Sequence, residues 1–386
     1  MYLWRFEQIL VSVMPEVEGP DDFALPYWNY ARSTRAACLP PAFREPKLPG
    51  GVEDNPLFVD PRDQAGRMNG GLPLSPEVVS ADRAFRAPRF EAAARLGFGG
   101  GEPARAHFGG SSGQLERTPH NDIHNQVGGL MLDPRTAALD PIFWLHHANI
   151  DRLWVQWRSA PRNGDHPSTQ FWKDEAFEFH DSAGTLAPPI KVHQVEQTDA
   201  LLGYRYDDQV EAIVDSDASD REFEPEAIEP PQLAGASEQG LELRGGRASV
   251  RVTVPMETRD AVERTVETQR VVSVRVEYVE AEANPETVYG VYLQGPEGDP
   301  VHVGNLSLFG IELWNDLNRD EHGGNGFQFE YDVTQEVEDL AARGQWSTDA
   351  IDVIFEPLGE EPAALADQAE RTIEPVRIGR VSLFVG

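Results

Sequence analysis

Residues 140–158 read DPIFWLHHANIDRLWVQWR, and this stretch decides the fold of the first half of the chain. Asp140 offers an acceptor to the free amides of a helix start and Pro141 suits the first helical position, so a helix is predicted over 141–158, ending before Pro161. Ile142, Phe143, Trp144, Leu145, Ile150, Leu153, Trp154 and Trp157 nearly encircle it. A helix apolar on all sides belongs in the middle of a bundle. His146 and His147 lie inside it. Burying two imidazoles is costly unless their nitrogens find partners, and a metal ion supplies one partner per ring. Periodicity does not choose between them: His147 shares a stripe with Phe143, Ile150 and Trp154, and His146 shares one with Ile142, Leu153 and Trp157. Core histidines bonded to carbonyls are the alternative reading.

Just upstream, residues 118–124 read TPHNDIH. Thr118 is a suitable N-cap, Pro119 fits the first helical turn, and Gly128 and Gly129 can end a short helix in a left-handed turn. His120 and His124 then stand four apart on one face, a spacing that lets two imidazoles hold one metal. Alone, an H-x-x-x-H pair reads more readily as two polar residues on an exposed face. Together with a third imidazole from the 140–158 helix, and with no thiolate nearby, the set favours copper or zinc over harder cations.

The rest of the chain bounds what this site serves. At 386 residues it has room for two domains, and its single cysteine, Cys38, excludes an internal disulfide framework. A formal charge of −32 repels nucleic acid and anionic membranes. Nothing approaches the ~20 consecutive apolar residues of a membrane span, so a soluble protein, cytoplasmic or exported, is expected. Only Lys47, Lys173 and Lys191 are lysines, a bias that fits either adaptation to salt or a GC-rich genome. Tyr2, Leu3, Phe6, Ile9, Leu10 and Val13 predict an amphipathic, buried helix that begins at residue 1 without a capping residue. The proline- and aromatic-rich stretch 21–46 reads as ordered loops held by ring packing.

After Asp207 the composition turns acidic, through DSDASDREFEPEAIEPP, and a solvated linker is expected over 208–246. Beyond it, alternation at Val250, Val252 and Val254, at Val272, Val274, Val276 and Tyr278, at Phe327, Phe329, Tyr331 and Val333, and at Val381, Leu383 and Val385 predicts antiparallel strands. A helix near 336–342 interrupts them. The expected architecture is a mainly α helical-bundle domain over 1–207, incomplete at its N-terminus, followed by an all-β antiparallel sandwich over 247–386.

PHNDIHNQVGG followed by DPIFWLHHANIDRLW resembles the second copper-binding region of tyrosinases, catechol oxidases and related hemocyanins. YLWRFE, ALPYWNY and LGYRYD, with Tyr204 and Tyr206, are similar to features that flank it in that family. The resemblance implies that His120, His124 and His147 are ligands of the B-site copper and that His146 is a neighbour. It implies that Glu116 and Asn121 hold a water and take the proton of an incoming phenol as a general base. Asn125 falls where the family tunes substrate access, and Phe143 would pack on the imidazoles, so Asn125, Phe143 and His146 form the expected substrate pocket. His107 lies on the loop leading to the site and is a further candidate contact.

In the family a second, A-site copper needs three more histidines, and the last of them would precede Met1-Tyr2-Leu3-Trp4. His166, His180, His193, His302 and His322 are scattered and do not replace them. Two coppers matter because dioxygen takes one electron from each. The chain as numbered is therefore expected to bind one B-site copper of a two-copper enzyme and to be inactive alone. The resemblance implies oxidation of phenols and o-diphenols to o-quinones by dioxygen; an oxygen carrier and a degenerate, noncatalytic copper protein are the alternatives. The C-terminal half is weakly similar to the C-terminal domain of plant polyphenol oxidases, through VYGVYLQG, FEYDVTQEVEDL and VRIGRVSLFVG. That implies a domain that shields the copper site or merely stabilises the protein.

Overall fold

The computed structural model describes residues 1–14, 23–63, 66–91, 96–100, 112–160, 167, 170–196, 198, 202–208, 231–268, 270–296, 298–318, 327–359 and 374–386. Its first half contains helices α1 (Tyr2–Val13), α2 (Pro41–Arg44), α3 (Pro76–Val79), α4 (Asp82–Arg86), α5 (Asp122–Val127), α6 (Ile142–Arg158) and α7 (Gln170–Asp174), then a hairpin of β1 (Ala176–His180) and β2 (Leu186–Lys191). His107, His166 and His322 lie outside the described residues.

The long helix α6 organises this half. Asp140 begins it as its sequence predicts, accepting the Ile142 amide at 3.1 Å. Ile142 sits in one apolar cluster with Trp28, Tyr30, Ile123 and Met131. Leu153 and Trp157, three turns on, sit in a second cluster with Phe98 and Leu115, where Trp157 stacks on Phe98 at 4.2 Å. Phe143, Trp144, Leu145, Ile150 and Trp154 are only half-buried, so α6 is less enclosed than its composition predicts. No residue of α1 is fully buried, contrary to the expected buried helix. Instead α1 meets α6 where Phe6 stacks on Trp144 at 3.6 Å. The aromatic loop behaves as read: Trp28 meets Tyr30 edge-on at 5.4 Å, and its backbone amide donates to the Leu145 carbonyl at 3.0 Å.

The second half is built from β3 (Gln232–Ser237), β4 (Leu241–Leu243), β5 (Ala248–Thr253), α8 (Met256–Thr268), β6 (Val272–Glu280), β7 (Tyr289–Gln294), β8 (Val301–Leu306), α9 (Ile311–Asn318), β9 (Phe327–Asp332), α10 (Thr334–Ala342), β10 (Ala350–Pro357) and β11 (Val376–Val385). All pairings are antiparallel, in the order β8-β7-β10-β5-β3-β11-β6-β9, with β4 beside β11. Register places Val381 opposite Val276 and Leu383 opposite Val274, all of them in one continuous core. The strands form one sheet rather than the two packed sheets of the expected sandwich. Its terminal strands meet where the Tyr331 hydroxyl of β9 donates to the Asn305 carbonyl of β8 at 3.0 Å.

Two sequence expectations are corrected here. The sheet begins at Gln232, so the second half of the expected 208–246 linker is β structure. QLAGASEQGLEL lacks alternation because β3 crosses close to β5: a Cβ on Gly235 would lie 2.6 Å from the Thr253 carbonyl oxygen. Tyr278 does not continue the inward run of β6. The register shifts between Val276 and Val279, which turns Val279 inward and leaves Tyr278 exposed at φ 57°, as one extra residue must on a strand with a two-residue period.

Candidate metal centre

Residues 116–121 form an irregular turn in which Thr118 is extended (φ −142°, ψ 121°). The Thr118 hydroxyl donates to the Asp122 carboxylate at 2.8 Å rather than capping the helix amides. Helical backbone then continues through α5 to Val127, and Gly128 (φ 73°) and Gly129 (φ 56°) end it in the left-handed region as expected. Every residue of α5 is buried.

His120 and His124 come from this segment and His146 and His147 from α6. Their ring nitrogens gather so that one atom from each lies within 4.8 Å of the others, the sole such cluster of metal-ligating side chains among the described residues. Two rings face an oxygen acceptor through Nδ1, the Asn121 side-chain oxygen for one and a backbone carbonyl for the other. His120 Nδ1 is 2.8 Å from Asn121 Oδ1, and His124 Nδ1 is 2.8 Å from the Met131 carbonyl oxygen. Each Nδ1 therefore carries its proton and each Nε2 offers its lone pair inward, the arrangement metal-binding imidazoles take. His124 Nε2 and His147 Nε2 stand 3.2 Å apart. Two nitrogens each about 2.0 Å from one tetrahedral metal would be about 3.3 Å apart, so this pair already has ligand spacing.

The environment keeps the imidazoles neutral. Burial pushes His120 below its ordinary value, against its bonds to Asn121 and the Glu116 backbone. Burial, then mutual repulsion, pushes His124, His146 and His147 well below theirs. His146 is fully buried and neither ring nitrogen makes a well-aligned hydrogen bond among the described residues. Buried polar atoms left in this condition cost about 1–3 kcal/mol each unless something else satisfies them. Neutral, inward-facing nitrogens with an unsatisfied neighbour fit a nitrogen-preferring cation such as copper. The geometry does not itself divide His146 from His147, so the choice periodicity leaves open remains with the family pattern.

Phe143 stacks on His147 at 4.0 Å. Asn121 is bonded to His120, and Glu116 is half-buried at the start of the same turn. Tyr204 and Tyr206 both donate to Asp151 at 2.7 Å, on α6 one turn past His147.

What sequence reasoning missed is the contribution of the second half. Phe309, in NLSLFG after β8, stacks on His124 at 4.1 Å and 21° and meets His120 edge-on at 5.9 Å. Asn125 donates to Ser307 at 2.9 Å and accepts from Asn284 at 2.7 Å, so the residue expected to tune substrate access faces the β domain. Ser307 donates to the Asn121 carbonyl at 3.1 Å. Asp122 accepts from Asn305 at 2.6 Å, yet burial pushes its carboxyl up to about 7. Around this centre Arg83 pairs with Glu336 at 2.7 Å, and Val288 and Leu358 complete the first half's apolar cluster. No local pattern marks these residues, because their partners lie in a different domain.

Residues 1–160 match the family described as the common central domain of tyrosinase, and residues 230–386 match a domain family of unknown function (DUF7868). A tyrosinase of Hahella sp. (strain CCB-MM4) is 30% identical over 99% of this chain and 80% of its own length. A chloroplastic polyphenol oxidase of Spinacia oleracea is 28% identical over 54% of the chain, which spans 35% of that enzyme. Among solved structures, latent apple tyrosinase superposes over 100% of this chain and 81% of its own with a TM-score of 0.58 at 20% identity, a likeness of fold. No helix among the described residues is long and apolar enough to cross a membrane.

Proposed function

The chain belongs to the tyrosinase and polyphenol oxidase family, and from that premise we propose that it serves the copper-dependent oxidation of phenols or o-diphenols to o-quinones by dioxygen. The observation that carries this reading is the convergence of the His120, His124 and His147 rings, with the first two locked to present Nε2. These three hold the B-site copper, and His146, whose ring nitrogens gather with theirs, is a neighbour and not a ligand. When bound, copper supplies the redox chemistry with dioxygen. The chain's own side chains do the rest: Glu116 with Asn121 takes the phenol proton, Phe143 holds the His147 ring in plane, and Asn125 stands where a substrate would be oriented.

In this reading the histidine cluster of the described residues supplies one half of a two-copper site. The chain alone binds one copper and turns over no catechol. The C-terminal domain acts as a shield. Phe309 lies against the two α5-side imidazoles where an aromatic substrate would approach them, and Ser307 and Asn284 occupy the polar groups of Asn125.

The test compares copper-loaded chain as numbered with a chain lengthened by its upstream in-frame coding sequence. Catechol oxidation only in the longer protein, raised after cleavage between residues 209 and 230, is the expected result. Turnover by the 386-residue chain would overturn the half-site reading. Silence from both proteins with copper bound would overturn the oxidase reading in favour of a noncatalytic copper protein.

A further inference from the structure

We infer that Arg62 is a positioning residue for the metal centre, fixing the two histidine-bearing segments against each other without touching metal or substrate. The inference rests on the copper reading above. Its basis is that one residue supports both halves of the ligand set, by its side chain on one side and its backbone on the other.

The Arg62 and Asp140 side chains are both 0% exposed. Arg62 Nε donates to Asp140 Oδ2 at 2.8 Å and Nη2 to Oδ1 at 3.0 Å, a bidentate fork. The remaining donors reach the Phe43 carbonyl, Asn69 Oδ1 at 2.9 Å and the Leu57 carbonyl at 3.1 Å. A planar group held on every edge cannot rotate or slide. Asp140 passes that constraint on: Oδ1 accepts the amide of Ile142, which starts α6, and its carbonyl accepts the Phe143 amide at 3.0 Å. His146 and His147 follow one turn later.

On the other side, the backbone of residues 61–63 lies directly beneath the turn that ends α5. A Cβ on Gly128 would stand 2.6 Å from the Arg62 carbonyl oxygen and 2.8 Å from Asp63 Cα, and one on Gly129 would stand 2.5 Å from the Pro61 carbonyl oxygen. The two glycines are thus required both by their positive φ and by this close approach. That turn leads to Met131, whose carbonyl fixes the His124 ring. A shift at Arg62 therefore reaches His124 through the glycine turn and His147 through Asp140, and it changes the 3.2 Å separation of their Nε2 atoms.

A buried ion pair is weak evidence for stability, since apolar replacements of similar volume are often neutral or better. What such a pair supplies is registry, and a metal centre is sensitive to registry because its ligands must be placed to within about 0.5 Å. The two roles separate by experiment.

The test uses the full chain loaded with Cu(II) and reads copper affinity by chelator competition and the EPR spectrum. Replacing the pair with Arg62→Met and Asp140→Leu together removes both charges and should leave the chain folded, with a thermal transition lowered by the Phe43 and Leu57 carbonyls that lose their donor. Copper binding should weaken by about tenfold to a hundredfold, the range for lost support of metal ligands, with shifted EPR parameters. Arg62→Lys keeps the charge but not the fork, and should fail to restore the spectrum. Asn69→Ala removes one of the guanidinium's other acceptors without stranding a charge, and decides the matter if the first two variants do not fold. A smaller shift in the same direction is expected from it. Any folded variant of the three with parental affinity and spectrum overturns the inference. A parent chain that binds no copper would instead overturn the copper reading beneath it.

Discussion

Phe309→Ala tests whether the C-terminal domain guards the metal centre. The Phe309 ring stacks on His124 at 4.1 Å and touches the edge of His120, yet the residue is only half-buried. Truncating a fully buried phenylalanine costs about 3–5 kcal/mol, so half that, about 2 kcal/mol, is the reasonable cost here. At about 1.4 kcal/mol per tenfold, the population in which the 307–310 segment has lifted from the histidines rises roughly 30-fold. On the guarding reading, removal of bound copper by a bulky chelator passes through that state, so its rate should rise by the same factor. Phe309→Leu should fall between, because it keeps volume and loses the ring stack. The assay is stopped-flow decay of the copper absorbance under excess chelator. An unchanged stripping rate in a folded Phe309→Ala protein would refute the guarding role of this ring.

The interface around the centre yields a matched pair of expectations. Glu336→Ala strands Arg83, whose side chain is 19% exposed and which also holds the carbonyls of Asp332 and His302, and it should cost about 2–3 kcal/mol in denaturant unfolding. Asp352→Ala breaks an outward pair in which Arg251 is 68% exposed and water screens the charges, and should cost clearly less than Glu336→Ala; equal losses would contradict this. Tyr206→Phe removes one of two hydroxyl bonds to Asp151 and should destabilise by about 1–2 kcal/mol, and a Tyr204→Phe, Tyr206→Phe double variant should lose more than either alone. Copper at about 100 times its dissociation constant should stabilise the chain by about 2.7 kcal/mol, lost on chelation; an unaltered melting temperature on copper removal would count against binding to the native fold.

The parts legible in the sequence were those whose cause is local. Asp140 and Pro141 announce α6, Gly128 and Gly129 announce the end of α5, and the spacing of His120 and His124 puts two rings on one side. Alternation in Val272, Val274 and Val276 announces a strand, but a bulge has no signature in a valine run, so Tyr278 was placed on the wrong face. β3 and β4 hide in a stretch read as linker because close strand crossing selects glycine and alanine there instead of alternation. Thr118 looks like a cap and instead its hydroxyl donates to the Asp122 carboxylate. Phe309, Ser307, Asn305 and Asn284 were invisible for a different reason: each acts on α5 or the turn before it from more than 150 residues away, and nothing in their own neighbourhoods records that partner. Arg62 likewise carries no motif, and only the fold places it between the glycine turn and Asp140.

Copper binding by the three imidazoles underlies every functional step proposed for this chain. Equilibrium dialysis of the 386-residue chain against Cu(II), with metal counted per chain, should give one tightly held ion, and His120→Ala, His124→Ala and His147→Ala should each abolish it while His146→Ala weakens it less. A parent chain that holds no copper, or a His124→Ala chain that holds it as tightly as the parent, would contradict the account.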